Sequence, residues 1–156
     1  MKNVITPEEF KTLFPQACAW AENQERKILM NGVQLSPAQI IDAKERGVAH
    51  PEKVRLLKVK LIPLPDGPAL RAAAEAAGLN SATTVGQTFR YGIFIREDVW
   101  NRRDVLAHEL SHTSQYERLG GIQQFLQQYL HECNTLGYAN APLEKEALAG
   151  MERFRD

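Results

Sequence analysis

The sequence has no excess of charge of either sign, because 19 Lys and Arg residues face 19 Asp and Glu residues over 156 positions. Nucleic-acid-binding domains usually concentrate basic residues, so we expect no nucleic-acid partner. No apolar run reaches the roughly 18 residues that a membrane span requires, so we expect no membrane partner either. Residues 1–7 also lack the apolar stretch of a signal peptide. We therefore expect a cytoplasmic protein, although export without a conventional signal stays open.

Cysteine is scarce and widely spaced, with Cys18 and Cys133 as the two examples. Two distant cysteines do not make a disulfide scaffold, so we expect free, mostly buried thiols in a reducing compartment. A single disulfide is the alternative. The length suffices for one domain with a real core, and we expect one domain over 1–156, with N-terminal helices in 1–50.

The chain does contain one complete chemical motif, His-Glu-x-x-His, at His108, Glu109 and His112. Residues four apart lie on one face of a helix, so the two histidines can offer imidazole nitrogens to one zinc ion. Glu109 lies beside His108 and can reach a water at the open position of the metal without being a ligand. Neither Gly nor Pro interrupts 98–119, which favours a helix. The alternative is a surface helix with two ordinary histidines.

Capping patterns predict two helix starts in the N-terminal third. Thr6 to Glu9 has the form of a capping box with proline at the first helical position, and Pro15 is expected to interrupt that helix. A second helical segment is then expected over 16–30. Ser36 to Gln39 repeats the starting pattern, and Gly47 is expected to end that helix.

The remaining elements alternate between apolar strands and helices. We expect strands over 54–62 and 88–95, a short strand over 83–85 and an Ala-rich helix over 69–77. The motif helix should begin near Asp98.

Beyond the motif helix, Gly120 and Gly121 predict a break, apolar periodicity predicts a helix starting near Ile122, and Pro142 predicts a last helix reaching 154. The pattern as a whole predicts an α+β fold, mostly helical, with a small sheet beside the motif helix.

A catalytic zinc site usually keeps three protein ligands and one open position. The extended metzincin pattern would place Gly and His where this chain has Gln115 and Arg118, so that class is excluded. Two carboxylates, Glu144 and Glu146, follow in the last predicted helix. Either could supply the third ligand.

The two motifs together resemble gluzincin-type zinc metallopeptidases, whose first helix carries His-Glu-x-x-His and whose later helix gives a Glu, often within Glu-x-x-Ala-Asp. The chain is also similar to short bacterial minimal metallopeptidase-like domains, whose motif is His-Glu-Leu-x-His-x-x-Gln. Gln115 matches the last residue of that motif. The resemblance covers 88–154 and implies a zincin-like core within 51–156. With Ala147 in register it implies Glu144 as the third ligand, with Glu146 as the fallback. Leu148 stands where the family usually has an Asp that orients a histidine.

This resemblance implies a zinc-dependent hydrolase, most directly a metallopeptidase acting on a peptide or protein, with Glu109 as general base. Tyr138 and His131 are the candidates for stabilising the oxyanion. The family commonly lines its cleft with an edge strand, a role that 89–95 fits by order, while an interior strand is the alternative. The rival functions are a non-catalytic zinc-binding or interaction domain that retains the fold, and a helical domain without metal.

Overall fold

The computed structural model describes residues 5–79 and 83–154, which form an α+β arrangement of helices around a four-stranded mixed sheet. The helices of this part of the chain are α1 Pro7–Asn31, α2 Pro37–Glu45, α3 Pro68–Ala76, α4 Arg103–Leu119, α5 Ile122–Leu136 and α6 Pro142–Met151. The strands are β1 Val33–Gln34, β2 Arg55–Val59, β3 Gly86–Phe89 and β4 Gly92–Arg96. In the same part of the chain, no helix is both long enough and apolar enough for a membrane crossing.

The sheet has the strand order β1-β2-β4-β3, with β2 and β4 parallel and the other pairs antiparallel. Side chains alternate across β4, so that Ile93 and Ile95 pack with Leu110 of α4 while Phe94 packs with Ile28 of α1. Helices therefore cover both faces of the sheet. The edge strand β3 lies against α4, which carries the His-Glu-x-x-His motif.

Both predicted capping boxes are confirmed, at Thr6 and at Ser36. The predicted interruption at Pro15 is wrong, because α1 is one continuous helix from Pro7 to Asn31. Proline removes a single backbone donor here, and both Pro15 and Lys11, whose carbonyl is freed, are exposed, so water can satisfy that carbonyl. The predicted end at Gly47 is confirmed by a left-handed φ angle of 90°, and Gly78, shortly after α3, has a φ angle of 81°.

The single strand expected over 88–95 is wrong, because the chain turns at Arg90 and Tyr91 and forms the hairpin β3–β4. Arg90 has a left-handed φ angle of 57°. The Glu25 carboxylate of α1 accepts two hydrogen bonds of 2.8 Å from the Arg90 guanidinium and one of 3.1 Å from the Tyr91 backbone amide. The alternative of an interior strand therefore applies to β4, while β3 is one of the two edge strands of the sheet.

Two other boundaries differ from expectation. No strand forms over 83–85, and β3 begins only at Gly86. The motif helix begins at Arg103 instead of Asp98. Asp98 lies in a separate 3₁₀ turn, Glu97–Val99, and its carboxylate pairs with Arg96 at 2.6 Å. The strand expected over 54–62 is confirmed in the shorter form of β2.

The two C-terminal helices place the second motif beside the first. Gly120 ends α4 in a left-handed conformation with φ 110°, as the glycine pair predicted. A 3₁₀ turn, Tyr138–Asn140, joins α5 to α6, and α6 then packs along α4. The last helix ends at Met151, three residues before its expected end, where a 3₁₀ turn replaces it.

Candidate metal centre

Helices α4 and α6 bring His108, His112 and Glu144 together. The Glu144 carboxylate lies 2.7 Å from His108 Nε2 through Oε1 and 3.2 Å from His112 Nε2 through Oε2. One ligand atom of each residue lies within 4.8 Å of those of the other two, and all three residues are largely buried. Tetrahedral zinc ligands at about 2.0–2.1 Å from the metal lie about 3.3 Å apart. The three donors could therefore hold a metal ion.

The burial of Glu144 explains its pairing with the imidazoles. Its side chain is 1% exposed, and burial alone would raise the pKa of its carboxyl. Hydrogen bonds to His108 and His112 instead hold that pKa well below its usual value. Burial lowers the pKa of His112, but the carboxylates of Glu144 and Glu109 outweigh it and raise that pKa above its usual value. The site thus favours positive charge beside Glu144.

Glu109 lies beside this cluster and is held by the edge strand. The Thr88 hydroxyl is 2.9 Å from Glu109 Oε1 and 3.1 Å from the Glu109 carbonyl oxygen. Strand β3 can approach this closely because Gly86 has no side chain; a Cβ there would lie 3.0 Å from Glu109 Cγ. Glu109 Oε2 lies 4.0 Å from His108 Nε2. A buried carboxylate is thus fixed next to the donor cluster without belonging to it.

Gln115, which is fully buried, determines how His112 presents its nitrogens. Its Nε2 donates to the Leu143 carbonyl at 2.9 Å and to Glu146 Oε1 at 3.1 Å. Both partners are acceptors, so Gln115 Oε1 must face His112 Nδ1, at 2.8 Å, and accept its proton. A neutral His112 then directs the lone pair of Nε2 at Glu144 Oε2. Two such acceptors repel unless a cation or a proton lies between them.

Two tyrosines complete the surroundings of Glu144. The Tyr138 hydroxyl donates to Oε1 at 2.8 Å, and the Tyr129 hydroxyl donates to Oε2 at 2.9 Å. Tyr138, a sequence-based candidate for stabilising an oxyanion, therefore lies at the site with its hydroxyl directed to Glu144. Tyr129 was not anticipated as a site residue. Its only sequence signal is its place on the apolar face of α5, where it stacks on Phe125 with ring centroids 5.1 Å apart.

Three residues singled out in the sequence lie outside the cluster. His131 is exposed on α5, beside a shallow depression formed with glutamines of the same helix. Glu146 is about half exposed and pairs with Arg118 at 3.0 Å. Leu148 is 42% exposed. Glu144 thus lies with the two histidines, and Glu146 does not.

The two histidines differ in how their Nδ1 atoms are supported. His112 Nδ1 is held by Gln115, whereas His108 Nδ1 is buried and has no hydrogen-bond partner in the part of the chain that the structure describes. The two candidate ligands thus differ in how firmly their rings are oriented.

The metal centre forms part of the wall of a cavity of about 430 Å³, whose other walls come from α1, α3, β3 and α5. Most of these walls are apolar. No protein-family model, no curated protein and no solved structure matches this chain. The assignment of function therefore depends on the geometry of the metal centre and of the cavity beside it.

Proposed function

We propose that the protein is a zinc-dependent hydrolase, most directly a metallopeptidase, in which His108, His112 and Glu144 hold the metal. The observation that carries this proposal is the orientation of His112. Gln115 keeps a proton on Nδ1, so Nε2 meets the Glu144 carboxylate without a proton of its own when the ring is neutral. A metal ion between the two groups removes the repulsion between them.

The donor set favours zinc among the common metals. Two imidazoles and one carboxylate are the protein ligands of a well-known class of catalytic zinc sites, which leave one position open. Bound zinc would supply Lewis acidity, which lowers the pKa of water and polarises a carbonyl group. The pairing of α4 and α6 beside the edge strand β3 is the arrangement that we propose to be zincin-like.

Glu109 is the proposed general base. Its Oε1 accepts the Thr88 hydroxyl, so Oε2, which lies on the side of His108, is the oxygen available to take a proton from water. The same oxygen would pass that proton to the leaving amine of a cleaved peptide. Thr88 keeps the carboxylate from rotating between these two events.

A non-catalytic zinc-binding domain is the second candidate, and two observations favour it. His108 Nδ1 has no partner among the described residues, and outer partners of this kind raise metal affinity and orient the ligand. The Tyr138 hydroxyl is also directed to Glu144 and not to open space where an oxyanion would form. The anchored Glu109 favours the enzyme, because a purely structural site needs no base beside the metal.

The location that we propose is the cytoplasm. Cys18 and Cys133 are both free thiols, which is the usual state of cysteines in a reducing compartment.

Two measurements test the proposed function. Metal-stripped protein titrated with zinc should bind one ion per chain, and His112→Ala should lose most of that binding while His131→Ala, altered at the exposed histidine, keeps it. The zinc-loaded protein should then cleave members of a mixed peptide library. Stoichiometric zinc in His112→Ala would exclude the site, and zinc binding without any cleavage would favour the non-catalytic candidate.

A further inference from the structure

The first described residue of the chain lies in the wall of the cavity beside the metal centre. Ile5 precedes α1, outside any helix or strand, and lines the same cavity as His108, His112 and Glu144. Its neighbour Thr6 is fixed in place by the capping box that starts α1. A piece of peptide chain is thus already present in a cavity whose other walls are mainly helices and one strand.

Asn134, in the last turn of α5, holds Ile5 by its main chain. The Ile5 amide donates to Asn134 Oδ1 at 2.8 Å, and Asn134 Nδ2 donates to the Ile5 carbonyl oxygen at 3.3 Å. A side-chain amide offers an acceptor and a donor side by side, which complements the N–H and C=O of a single residue. Paired strands bind each other through the same two main-chain groups, whatever the side chain. Asn134 is therefore a binding position for a peptide main chain, and Ile5 occupies it.

This binding position shares its surroundings with the metal centre. Tyr129 and Tyr138 lie on either side of Asn134 in the sequence, and both donate to the Glu144 carboxylate. All four residues line the cavity. A main chain bound to Asn134 therefore occupies the same cavity as the proposed metal ligands.

The contact between Ile5 and Asn134 is of a strength that permits exchange with another chain. Each neutral hydrogen bond changes an equilibrium by about 2- to 10-fold, and Ile5 is only partly buried. Ile5 is one residue from the fixed Thr6, so it acts as an intramolecular ligand with an effective concentration of about 1 mM or more. A free peptide at a lower concentration therefore meets a position that is already occupied.

We propose, building on the proposed function, that Ile5 is an internal ligand of the cavity that competes with peptide substrates for Asn134 and so restrains the hydrolase. If Ile5 is held about nine-tenths of the time, the apparent affinity for an external peptide falls about tenfold. Release of Ile5 opens the position. The restraint is competitive, so it acts on KM and leaves kcat unchanged.

Binding is measured by calorimetry with a peptide that copies residues 3–7, acetyl-Asn-Val-Ile-Thr-Pro-amide, after metal removal so that the peptide is not cleaved. Ile5→Gly loses the apolar side chain and gains backbone freedom, which both favour release, so this variant should bind the peptide about tenfold more tightly than wild type. Ile41→Gly, altered at a side chain 66% exposed on α2, is the matched control and should bind as wild type does. Equal affinities of Ile5→Gly and wild type would overturn the proposal.

Two further titrations test Asn134 itself. Asn134→Leu has nearly the same shape but makes neither bond, so adding it to Ile5→Gly should abolish the gain in affinity. The same peptide with an N-methylated isoleucine lacks the donor for Asn134 Oδ1 and should bind Ile5→Gly about 2- to 10-fold more weakly. A gain that survives Asn134→Leu would place the peptide elsewhere and overturn the proposal.

Hydrogen exchange reports the contact without any added peptide. Asn134→Leu removes the acceptor of the Ile5 amide, so that amide should exchange with solvent about tenfold faster than in wild type. The Thr6 amide, which donates to Glu9 Oε1 at 3.0 Å, is the internal control and should keep its rate. NMR follows both amides in the metal-free protein. An Ile5 amide with the same rate in both proteins would show that Asn134 does not hold it and would overturn the proposal.

Steady-state kinetics tests the restraint on hydrolysis. With a confirmed peptide substrate, zinc-loaded Ile5→Gly should have a KM about tenfold below that of wild type, with little change in kcat, and Ile41→Gly should match wild type. A variant that binds the copied peptide more tightly but keeps the wild-type KM would overturn the restraint, because Ile5 would then only anchor the start of α1.

The metal-free measurements separate this proposal from the proposed function. Calorimetry and hydrogen exchange that turn out as expected in a protein that binds no zinc would refute the metal centre and leave Ile5 as the occupant of the cavity. A protein that binds zinc and cleaves peptides, but whose affinity for the copied peptide does not respond to Ile5→Gly, would refute the internal ligand and leave the metal centre in place.

Discussion

The two sides of the edge strand β3 differ in how their polar groups are satisfied. On the side facing α4, Thr88 donates to Glu109, whose other oxygen lies near the histidines. On the side facing α1, Gln87 Oε1 and Trp20 Nε1 have no partner in the described residues. We call these the metal side and the cavity side of β3.

The difference indicates which side of β3 is organised before any ligand arrives. Hydrogen bonds that are already complete hold reacting groups in place and require no reorganisation during a reaction. Gln87 Oε1 and Trp20 Nε1 are buried without partners in the described residues, so they hold no other group in place. We therefore propose that the chemistry takes place on the metal side.

The largest expected effect concerns the base on the metal side. Glu109→Gln keeps the shape and can still accept the Thr88 hydroxyl, but an amide cannot take a proton from water. Hydrolysis of a confirmed peptide substrate should fall about 10²- to 10⁴-fold, with zinc stoichiometry unchanged. Undiminished turnover by the zinc-loaded variant would contradict the assignment of Glu109.

The next comparison is between the two carboxylates of α6. Glu144→Ala removes a buried ligand and should weaken zinc binding by more than about 100-fold, which exceeds the usual effect of losing an outer partner. Glu146→Ala, altered at the half-exposed partner of Arg118, should weaken it far less. Zinc titration against a competing chelator measures both variants, and the reverse ranking would move the ligand to Glu146.

Gln115 gives a smaller effect on the same side. Gln115→Met retains the volume but removes the acceptor at His112 Nδ1, and zinc affinity should fall about 10- to 100-fold. Gln124→Met, on the exposed surface of α5, is the matched control and should not change it. The absorption spectrum of the cobalt-substituted protein should also change in Gln115→Met, because the ligand histidine is no longer held in one orientation. A variant that only destabilised the fold would leave the cobalt spectrum of the folded fraction unaltered.

The two thiols test the burial of Cys18 on α1 and of Cys133 on α5. Burial, with a smaller contribution from the charge of Glu22, raises the pKa of Cys18 to about 11. Burial and the charges of Glu144 and Glu132 raise the pKa of Cys133 to about 12. A raised pKa means less thiolate at pH 8, although the thiolate that remains is more nucleophilic. Both thiols should react with a disulfide reagent at least about tenfold more slowly in the native protein than in denaturant. Native rates equal to the denatured rates would contradict the burial of these thiols.

The elements that sequence reasoning anticipated are those governed by local rules. Helical spacing predicts that His108 and His112 share a face, and the structure places them so, with ring centroids 5.0 Å apart. The capping boxes at Thr6 and Ser36 depend on four adjacent residues and are likewise local.

The features that sequence reasoning missed depend on distant contacts. The two central residues of the β3–β4 turn, Arg90 and Tyr91, are neither Gly nor Asn, and the left-handed Arg90 is held by Glu25, 65 positions away. The role of Gln115 depends on acceptors in α6, and that of Tyr129 depends on Glu144. His131, chosen because it lies between the two motifs in sequence, is on the exposed side of α5. Proximity along the chain does not determine which face of a helix a residue occupies.

The smallest effects compare the two sides of β3 directly, through neighbouring residues. Thr88→Val is nearly isosteric and removes the hydroxyl that holds Glu109, so kcat for a confirmed peptide substrate should fall about 2- to 10-fold with little change in KM. Gln87→Leu removes a buried oxygen that has no partner in the described residues, so it should leave kcat and KM nearly unchanged. Steady-state kinetics of the two variants with the same substrate measures both effects. A fall in kcat of similar size in Gln87→Leu would contradict the comparison across β3, because Gln87 would then act on the metal side.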